Sequence, residues 1–512
     1  MSGQVTVAKH QAQAGTPPQS AEGTALPMGW ADLWGHPGQQ PAHIEWARLR
    51  RLSRKLADGI GFVDHTGAFE PLVGSADLRS EPVHRWFSYK EGFSPRLLSK
   101  VIETLGLKGR LCVADAFGGV ATTGLAGLLH PHVVEVRSVE YSPFARFAGQ
   151  TKLQWPDLDL SKLRELLPGA LAYDQGRAVR VPDLSAFHNT KIFAPERIRT
   201  LLRVRDHLRE LPDCDQPERD FFLLGLAAVT EDLSGAIKDG RALRIKGGRS
   251  LRRSSLANTE PEIQVTGTVK RALAGQWTAM LSDLDELAQE REATQGKQAL
   301  HLPGDARELA KVLLDDGEPA FGDDWADLSL FSPPYLNCID YTEVYKLELW
   351  LMEHITNQAQ FRETRLGTLR SHPSVQFPQR DYFQDEEGEA IDLVRGIADW
   401  VRQHGGRPEV APVVRNYFED MLQVWREQHR ILKSGAISVC VVANSTFSRR
   451  KRDKDGGLQE LWRLPLLTDV LLAHLALHSG FKSVEIWAAR ELRPRNVRAG
   501  RARESLVIAR KA

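Results

Sequence analysis

The 512-residue chain predicts an α/β fold: a mostly parallel sheet interrupted by a mostly helical insertion. Three observations predict it. A short apolar run, a glycine turn, a helix pattern and a second apolar run follow one another over 111–143, the order of a βαβ unit. The stretch 151–297 has helical periodicity without an evident strand series. From 298 the alternation of strand and helix patterns resumes and runs to the end.

Residues 1–40 are rich in Gly, Ala, Gln and Pro and read as a disordered tail. A short basic helix candidate, HIEWARLRRLSRKLADGI, follows it. In 85–106, Ser94-Pro95 is a helix start before Leu97, Leu98, Val101, Ile102 and Leu105. The first half of the sheet unit fills 41–150, with LCVADAFGG as strand and turn, TTGLAGLLH as helix and VVEVRSVEYSP as the next strand. Inside the insertion, 194–211, 220–237 and 266–294 read as amphipathic helices, and 238–253 as a basic loop. The second half spans 298–512. It holds QALHLPGD, a helix at ARELAKVL, the strand DLSLF, an irregular polar stretch over 355–410, and a helix at 416–435 with a glycine stop. The buried strand AISVCVVANS, a charged loop SRRKRDKDGG, a helix at 466–481 and two final strands complete it.

Composition bounds the function. Hydrophobic residues are 42% and charged residues 26%, ordinary for a globular protein, and the net charge of +1 leaves nucleic-acid contact to local patches. Cys112, Cys214, Cys338 and Cys440 form no C-x-x-C pair. The reading is a reduced, cytoplasmic protein with no metal site, no disulfide framework and no membrane span.

The chemistry gathers at strand ends. Asp115-Ala116-Phe117-Gly118-Gly119 stands where a nucleotide-like ligand meets a helix N-terminus, and Glu140 ends the next strand, where a carboxylate reaches ribose hydroxyls. Alone, this pair also fits a structural glycine turn. Asp305, in Gly304-Asp305-Ala306-Arg307, reads first as a helix N-cap. In Phe331-Ser332-Pro333-Pro334-Tyr335 the two prolines end a strand in a rigid turn. The Ser332 oxygen and Pro333 carbonyl can accept hydrogen bonds from an exocyclic NH2, and Tyr335 can stack on the base. A turn with a buried tyrosine explains the tetrapeptide equally well.

Together these motifs resemble the amino-group DNA methyltransferases. Ser332-Pro333-Pro334-Tyr335 is similar to their catalytic motif, in the form associated mainly with N4-cytosine enzymes. DAFGGVATT resembles the cofactor loop, with Ala116 in place of the usual Pro and Ala121 in place of the second Gly. VEYSP resembles the second motif, GDAR the third, YKEGFSPRLL the segment before the cofactor loop, and VVANS the strand beyond the catalytic one. The resemblance implies a Rossmann-like methyltransferase sheet that binds S-adenosyl-L-methionine through Tyr89, Phe93, Ser94, Asp115, Phe117, Gly119, Thr122, Glu140, Tyr141, Asp305, Ala306 and Ser332. It implies Ser332, Pro333, Pro334 and Tyr335 as the catalytic set, acting on a flipped or unpaired base. N4-cytosine leads; N6-adenine, an RNA base amine and a catalytically silent relative stand as alternatives. No cysteine follows a proline, which argues against the covalent C5-cytosine route.

DNA is the expected partner, with a cognate restriction or defence component beside it. Phosphate contact falls to Lys238, Arg241, Arg244, Lys246, Arg249, Arg252 and Arg253, the cations of the basic loop. The second basic run, RRKRDK, is mixed with acids and reads as solvated. Tyr341 and Tyr345 fall on one helix face, for a base pocket or for the core. Arg370, with Arg365, Ser371 and His372, is placed to clamp or read the strand. The insertion 151–297 is the leading recognition region.

Overall fold

The computed structural model describes residues 34, 42–90, 92–187, 194–238, 243–245, 262–336, 339–405, 409–452, 457–492 and 502–512. Twelve strands are described: β1 Gly61–Asp64, β2 Leu111–Asp115, β3 Val133–Glu140, β4 Ala236–Lys238, β5 Leu243–Ile245, β6 Gln298–Pro303, β7 Ala326–Phe331, β8 Leu432–Ala443, β9 Ser445–Arg452, β10 Leu458–Leu466, β11 Ser483–Leu492 and β12 Ala502–Arg510.

Eight of them form one sheet in the order β1-β11-β12-β8-β7-β2-β3-β6. Every pairing is parallel except the two made by β12. Strands β2, β3 and β6 wind outward on one side, and β7 and β8 on the other. The order therefore reverses between β2 and β7, which leaves a crevice at their carboxyl ends. This is the Rossmann-like α/β sheet the sequence predicts. The central strands are apolar because both faces are covered: Val113, Leu328, Leu330 and Val439 pack on one face, and Ala114, Phe331, Cys440 and Val442 on the other.

A second core lies among the helices Leu160–Ala170, Pro195–Arg209, Gln216–Leu233 and Glu262–Glu286, around Phe221, Phe222 and Trp277. Residues after β7, including Tyr345, Trp350 and Phe361, join the same core. The chain between β3 and β6 is thus fastened to the segment that follows β7.

Several expectations are corrected. The stretch 355–410 contains two helices, Gln358–Gly367 and Glu389–His404, whose buried faces pack on the core. ARELAKVL makes only a 3₁₀ turn at Leu309–Lys311. The helix expected to stop at a glycine, Val410–Ile431, runs straight into β8. The charged loop after β8 is a β-ribbon, β9 paired antiparallel with β10. The basic loop begins as a small hairpin, β4 with β5. Trp34, placed by sequence in the tail, is buried edge-on against Trp46 at 5.0 Å. No helix among the described residues is long and apolar enough to cross a membrane.

Candidate active site

A cleft opens at the carboxyl ends of β2, β3, β6 and β7, outside the point where the strand order reverses. Of the residues expected at a cofactor, Tyr89, Phe93, Asp115, Phe117, Gly119, Thr122, Glu140, Tyr141, Asp305, Ala306 and Ser332 all line it. Ser94 does not: it is fully buried, and its hydroxyl donates to Asp77 at 2.7 Å, fixing the start of the helix Leu97–Leu105.

The glycine loop is held by two carboxylates. Asp115 accepts from the Phe117 amide at 2.9 Å and the Thr123 hydroxyl at 2.6 Å. Glu140 accepts from the Gly119 amide at 2.9 Å and the Ser142 amide at 2.7 Å. A carboxylate has about four lone-pair sites, so Glu140 keeps acceptors for the cleft. Gly119 has φ of 54°, which suits glycine. Ala121 has φ of 64°, a strained value for alanine. Its methyl packs toward Gly124 and Gly149, away from the cleft lining, so it leaves the ligand's space free.

His301 is a residue that sequence reasoning missed. It lies beneath the loop, with Nδ1 2.7 Å from Ser138 Oγ and Nε2 3.1 Å from the Gly119 carbonyl. Burial pushes its pKa down to about 4, so the ring is neutral. Gly118 and Gly149 leave room for it: a Cβ at either would come within 2.7 Å of the ring. The cue in sequence was a lone histidine on a strand beside a glycine turn, which carries little information alone.

Burial raises Asp115 to about 6 and Glu140 to about 7. A raised carboxyl is protonated below its pKa and loses acceptor capacity. A ligand whose hydroxyls need ionised Glu140 must then displace a proton below pH 7. Cofactor affinity is expected to fall about fivefold from pH 7 to pH 6, and to be nearly flat above pH 8. Calorimetric titration across pH checks this, and Glu140→Gln is expected to flatten the profile.

Asp305 has a double role. Its carboxylate takes the Arg307 amide and guanidinium, at 2.9 Å to the amide and to Nε, while lining the cleft. Arg307 is tied in turn to Asp420 at 2.9 Å and to the Gly367 carbonyl at 2.8 Å. The segment after Gly367 forms the opposite wall: Thr368, Leu369, Ser371, His372, Val375 and Phe377 line the cleft. Gly367 meets Tyr141 so closely that a Cβ there would lie 1.6 Å from the hydroxyl.

The tetrapeptide Ser332-Pro333-Pro334-Tyr335, expected to be catalytic, divides. Ser332 and Pro334 line the cleft, whereas Pro333 is buried behind them. Tyr335 was expected to face a base. Instead its hydroxyl donates to Glu504 at 2.6 Å and its ring packs on the main core. Tyr341 lines the cleft in its place, stacked on Tyr89 with centroids 5.8 Å apart and planes 8° apart. Tyr345 also stacks on Tyr89, with centroids 4.7 Å apart. Asp340 was also missed. It caps the helix Tyr341–Val344 through Glu343 N, and it binds Ser374 at 2.9 Å and Arg365. Asp340 and Glu343 form the D-x-x-E signature of a helix start, so that cue was available.

Two expected phosphate contacts are interior. Lys238 is 6% exposed, paired with Glu348 and lying 4.8 Å from the Tyr345 ring centroid. Arg370 is 2% exposed and paired with Glu419 and Asp420 at 3.1 and 2.8 Å. Both are neutralised by buried acids and cannot reach a phosphate. Arg365 is likewise held by Asp340. Arg244 is exposed on β5; Arg241, Lys246, Arg249, Arg252, Arg253 and Cys338 lie outside the described residues.

No family model matches the chain. Curated relatives do. The Type II methyltransferase M.BsoBI of Geobacillus stearothermophilus is 23% identical over 470 residues, covering 84% of this chain and 85% of its own. The Type II methyltransferase M.AvaI of Nostoc is 23% identical over 460 residues, covering 82% of this chain and 84% of its own. Among solved structures, the rRNA methyltransferase aviRa of Streptomyces viridochromogenes aligns over 85% of this chain and 92% of its own at 11% identity, with a TM-score of 0.27.

Proposed function

We propose that this chain is a site-specific DNA methyltransferase that moves a methyl group from S-adenosylmethionine to an exocyclic base amine, N4 of cytosine. The observation that carries the reading is one cleft lined by the glycine loop, Glu140, Asp305 and Ser332 at the reversal of strand order. The likeness to Type II methyltransferases along most of the chain supports it; a cognate restriction or defence component is the partner this reading expects.

The residues present fit the donor. Of the residues that line the cleft, Glu140 would take the ribose hydroxyls, Asp305 and Ala306 would border adenine, and Tyr89 and Phe93 would close over the methionine end. S-adenosylmethionine supplies a methyl group made electrophilic by its sulfonium. The chain's task is then position. A base amine is a weak nucleophile because its lone pair is delocalised into the ring. Hydrogen bonds from the amine to Ser332 Oγ and the Pro333 carbonyl favour a tetrahedral nitrogen with a directed lone pair. Tyr341 offers a face on which a flipped base can stack.

Duplex contact moves from Lys238 and Arg370 to the β9–β10 ribbon. Its root is fixed at the catalytic loop, where Ser445 Oγ donates to the Leu336 carbonyl at 2.9 Å, and Phe447, Trp462 and Leu464 are buried. Its outer half exposes Arg449, Lys451 and Arg452. Eight residues of strand reach about 25 Å, enough to follow a DNA backbone from the cleft. Replacing Lys451 and Arg452 together by Ala is expected to weaken duplex binding. The slope of log K against log salt should drop by ~1.8, because each lost phosphate contact removes about 0.9. Fluorescence anisotropy at several salt concentrations checks it.

The reading as a whole is tested by expressing the chain in a host that lacks base-amine methylation and digesting its DNA to nucleosides for mass spectrometry. N4-methylcytosine is expected, at one recurring sequence. N6-methyladenine would move the target to the other amine, and modified RNA with unmodified DNA would overturn the DNA assignment.

A further inference from the structure

Beside the cleft, a second groove opens between the segment 373–381, the helix Glu389–His404 and the start of the helix Val410–Ile431. The two hollows share a wall, because Val375 and Phe377 line both. The groove lining also includes Arg402, two residues before His404. The His404 carbonyl accepts Arg449 Nη1 at 2.8 Å and Trp462 Nε1 at 3.2 Å, both from the β9–β10 ribbon. The groove therefore joins the cleft to the ribbon.

The segment that walls it is pinned at both ends. Ser374 Oγ donates to Asp340 at 2.9 Å, and the Arg380 carbonyl accepts Nη1 of the buried Arg370 at 3.1 Å. Between these anchors, residues 376–380 belong to no helix or strand, and Gln376 and Gln379 are exposed. Asn416, in the second turn of the helix Val410–Ile431, lines the same groove. Among the described residues, none of these three carboxamides has a hydrogen-bond partner. The charges of the groove are mostly spent: Arg415 is paired with Asp381, and Arg402 with Asp399. Arg380 differs. It is exposed, its Nη1 donates to the Tyr382 hydroxyl at 3.3 Å, and it meets no carboxylate among the described residues.

We infer that this groove reads the bases beside the target base, with Gln376, Gln379 and Asn416 as specificity-determining residues and Arg380 as a phosphate contact. The inference rests on the DNA methyltransferase reading. A carboxamide presents a donor and an acceptor in one plane, the pattern that pairs with N6 and N7 of adenine. Its backbone is already held, so little freedom is lost when it binds. A base turned out into the cleft leaves its neighbours stacked beyond the shared wall. From Val375 to Gln379 the chain spans at most about 14 Å, about four base steps. Recognition on this inference belongs to the segment after Gly367, not to the insertion 151–297.

The methylated sequence is first mapped in host DNA for the wild-type chain. Gln376→Ala, Gln379→Ala and Asn416→Ala are then compared with it by kcat/KM on the cognate duplex and on duplexes changed at one base pair. At least one of them is expected to lose about tenfold in discrimination at one base pair, with discrimination elsewhere unchanged. Gln379→Glu keeps the size of the side chain and leaves only acceptors. It should shift preference at its position toward cytosine, whose N4 amine donates. Arg380→Ala is expected to weaken all duplexes alike and to lower the salt slope by about 0.9. Melting temperatures should stay near wild type, because these side chains are exposed or half-buried. Unchanged discrimination in every carboxamide variant, or an equal loss on all duplexes, overturns the inference and leaves methyl transfer intact. So does a wild-type chain that methylates DNA at no fixed sequence. A wild-type chain that methylates no DNA overturns the reading beneath it.

Discussion

Ser332→Ala is expected to slow single-turnover methyl transfer by about 10² to 10³-fold, equivalent to roughly 3–4 kcal/mol of lost transition-state stabilisation. The hydroxyl is the one side chain of the tetrapeptide that offers an acceptor oxygen to the cleft, since the prolines carry none and Tyr335 is engaged with Glu504. Removing it leaves the Pro333 carbonyl to hold the amine alone, and the nitrogen regains planarity. The alanine fits within the space of the serine, so the turn set by the two prolines persists and the melting temperature should not move. The proposed function gives the ground-state contacts with the cofactor to the glycine loop, Glu140 and Asp305, so the cofactor dissociation constant is expected to stay within about twofold. Rate is followed with a radiolabelled methyl donor, and binding by calorimetry. A variant that methylates at the wild-type rate would remove Ser332 from the mechanism. One that loses cofactor binding instead would make it a structural residue of the cleft.

The site was legible where the signal was local. Asp115, Glu140, Asp305 and Ser332 each end an apolar run within three residues of a glycine or proline, and each lies at the carboxyl edge of the sheet. Such punctuation is written in consecutive residues, and an α/β sheet brings strand ends together whatever lies between them. The errors have a common cause. Lys238 and Arg370 look like surface cations because their neighbours in sequence are polar, but the acids that bury them, Glu348 and Asp420, are 110 and 50 residues away. Tyr335 looks free for a base until Glu504, 169 residues on, takes its hydroxyl. The β9 strand was hidden for a different reason. Four consecutive cations erase the alternation that marks a half-buried strand, although Phe447 and Leu464, paired across the ribbon, carry it. Charge pairs distant in sequence and strands facing solvent are what a single chain read in order does not disclose.

The second large effect is expected at Gly118, where packing beneath the cofactor loop leaves no room. A Cβ at Gly118 would lie 2.7 Å from the His301 ring and 2.9 Å from Ser138 Cβ. Neither neighbour can yield. His301 is pinned at both ring nitrogens, and Ser138 Cβ is rooted in β3, whose residues pair with both β2 and β6. Relief has to come from the loop itself. The Gly118 amide bonds the Val139 carbonyl at 2.9 Å and the Gly119 amide bonds Glu140 at 2.9 Å, so lifting the loop strains both. Overpacking of this kind costs about 1–3 kcal/mol, and here it falls on the atoms that shape the ligand's cradle. Gly118→Ala is therefore expected to weaken cofactor binding by at least about tenfold, with melting lowered by several degrees. His301→Ala in the same chain removes the closest clash but leaves Ser138, so affinity should recover only in part. Calorimetry on the two single variants and the double variant checks this. Wild-type affinity in Gly118→Ala would mean that the loop moves freely of His301 and that its cradle is not set from below.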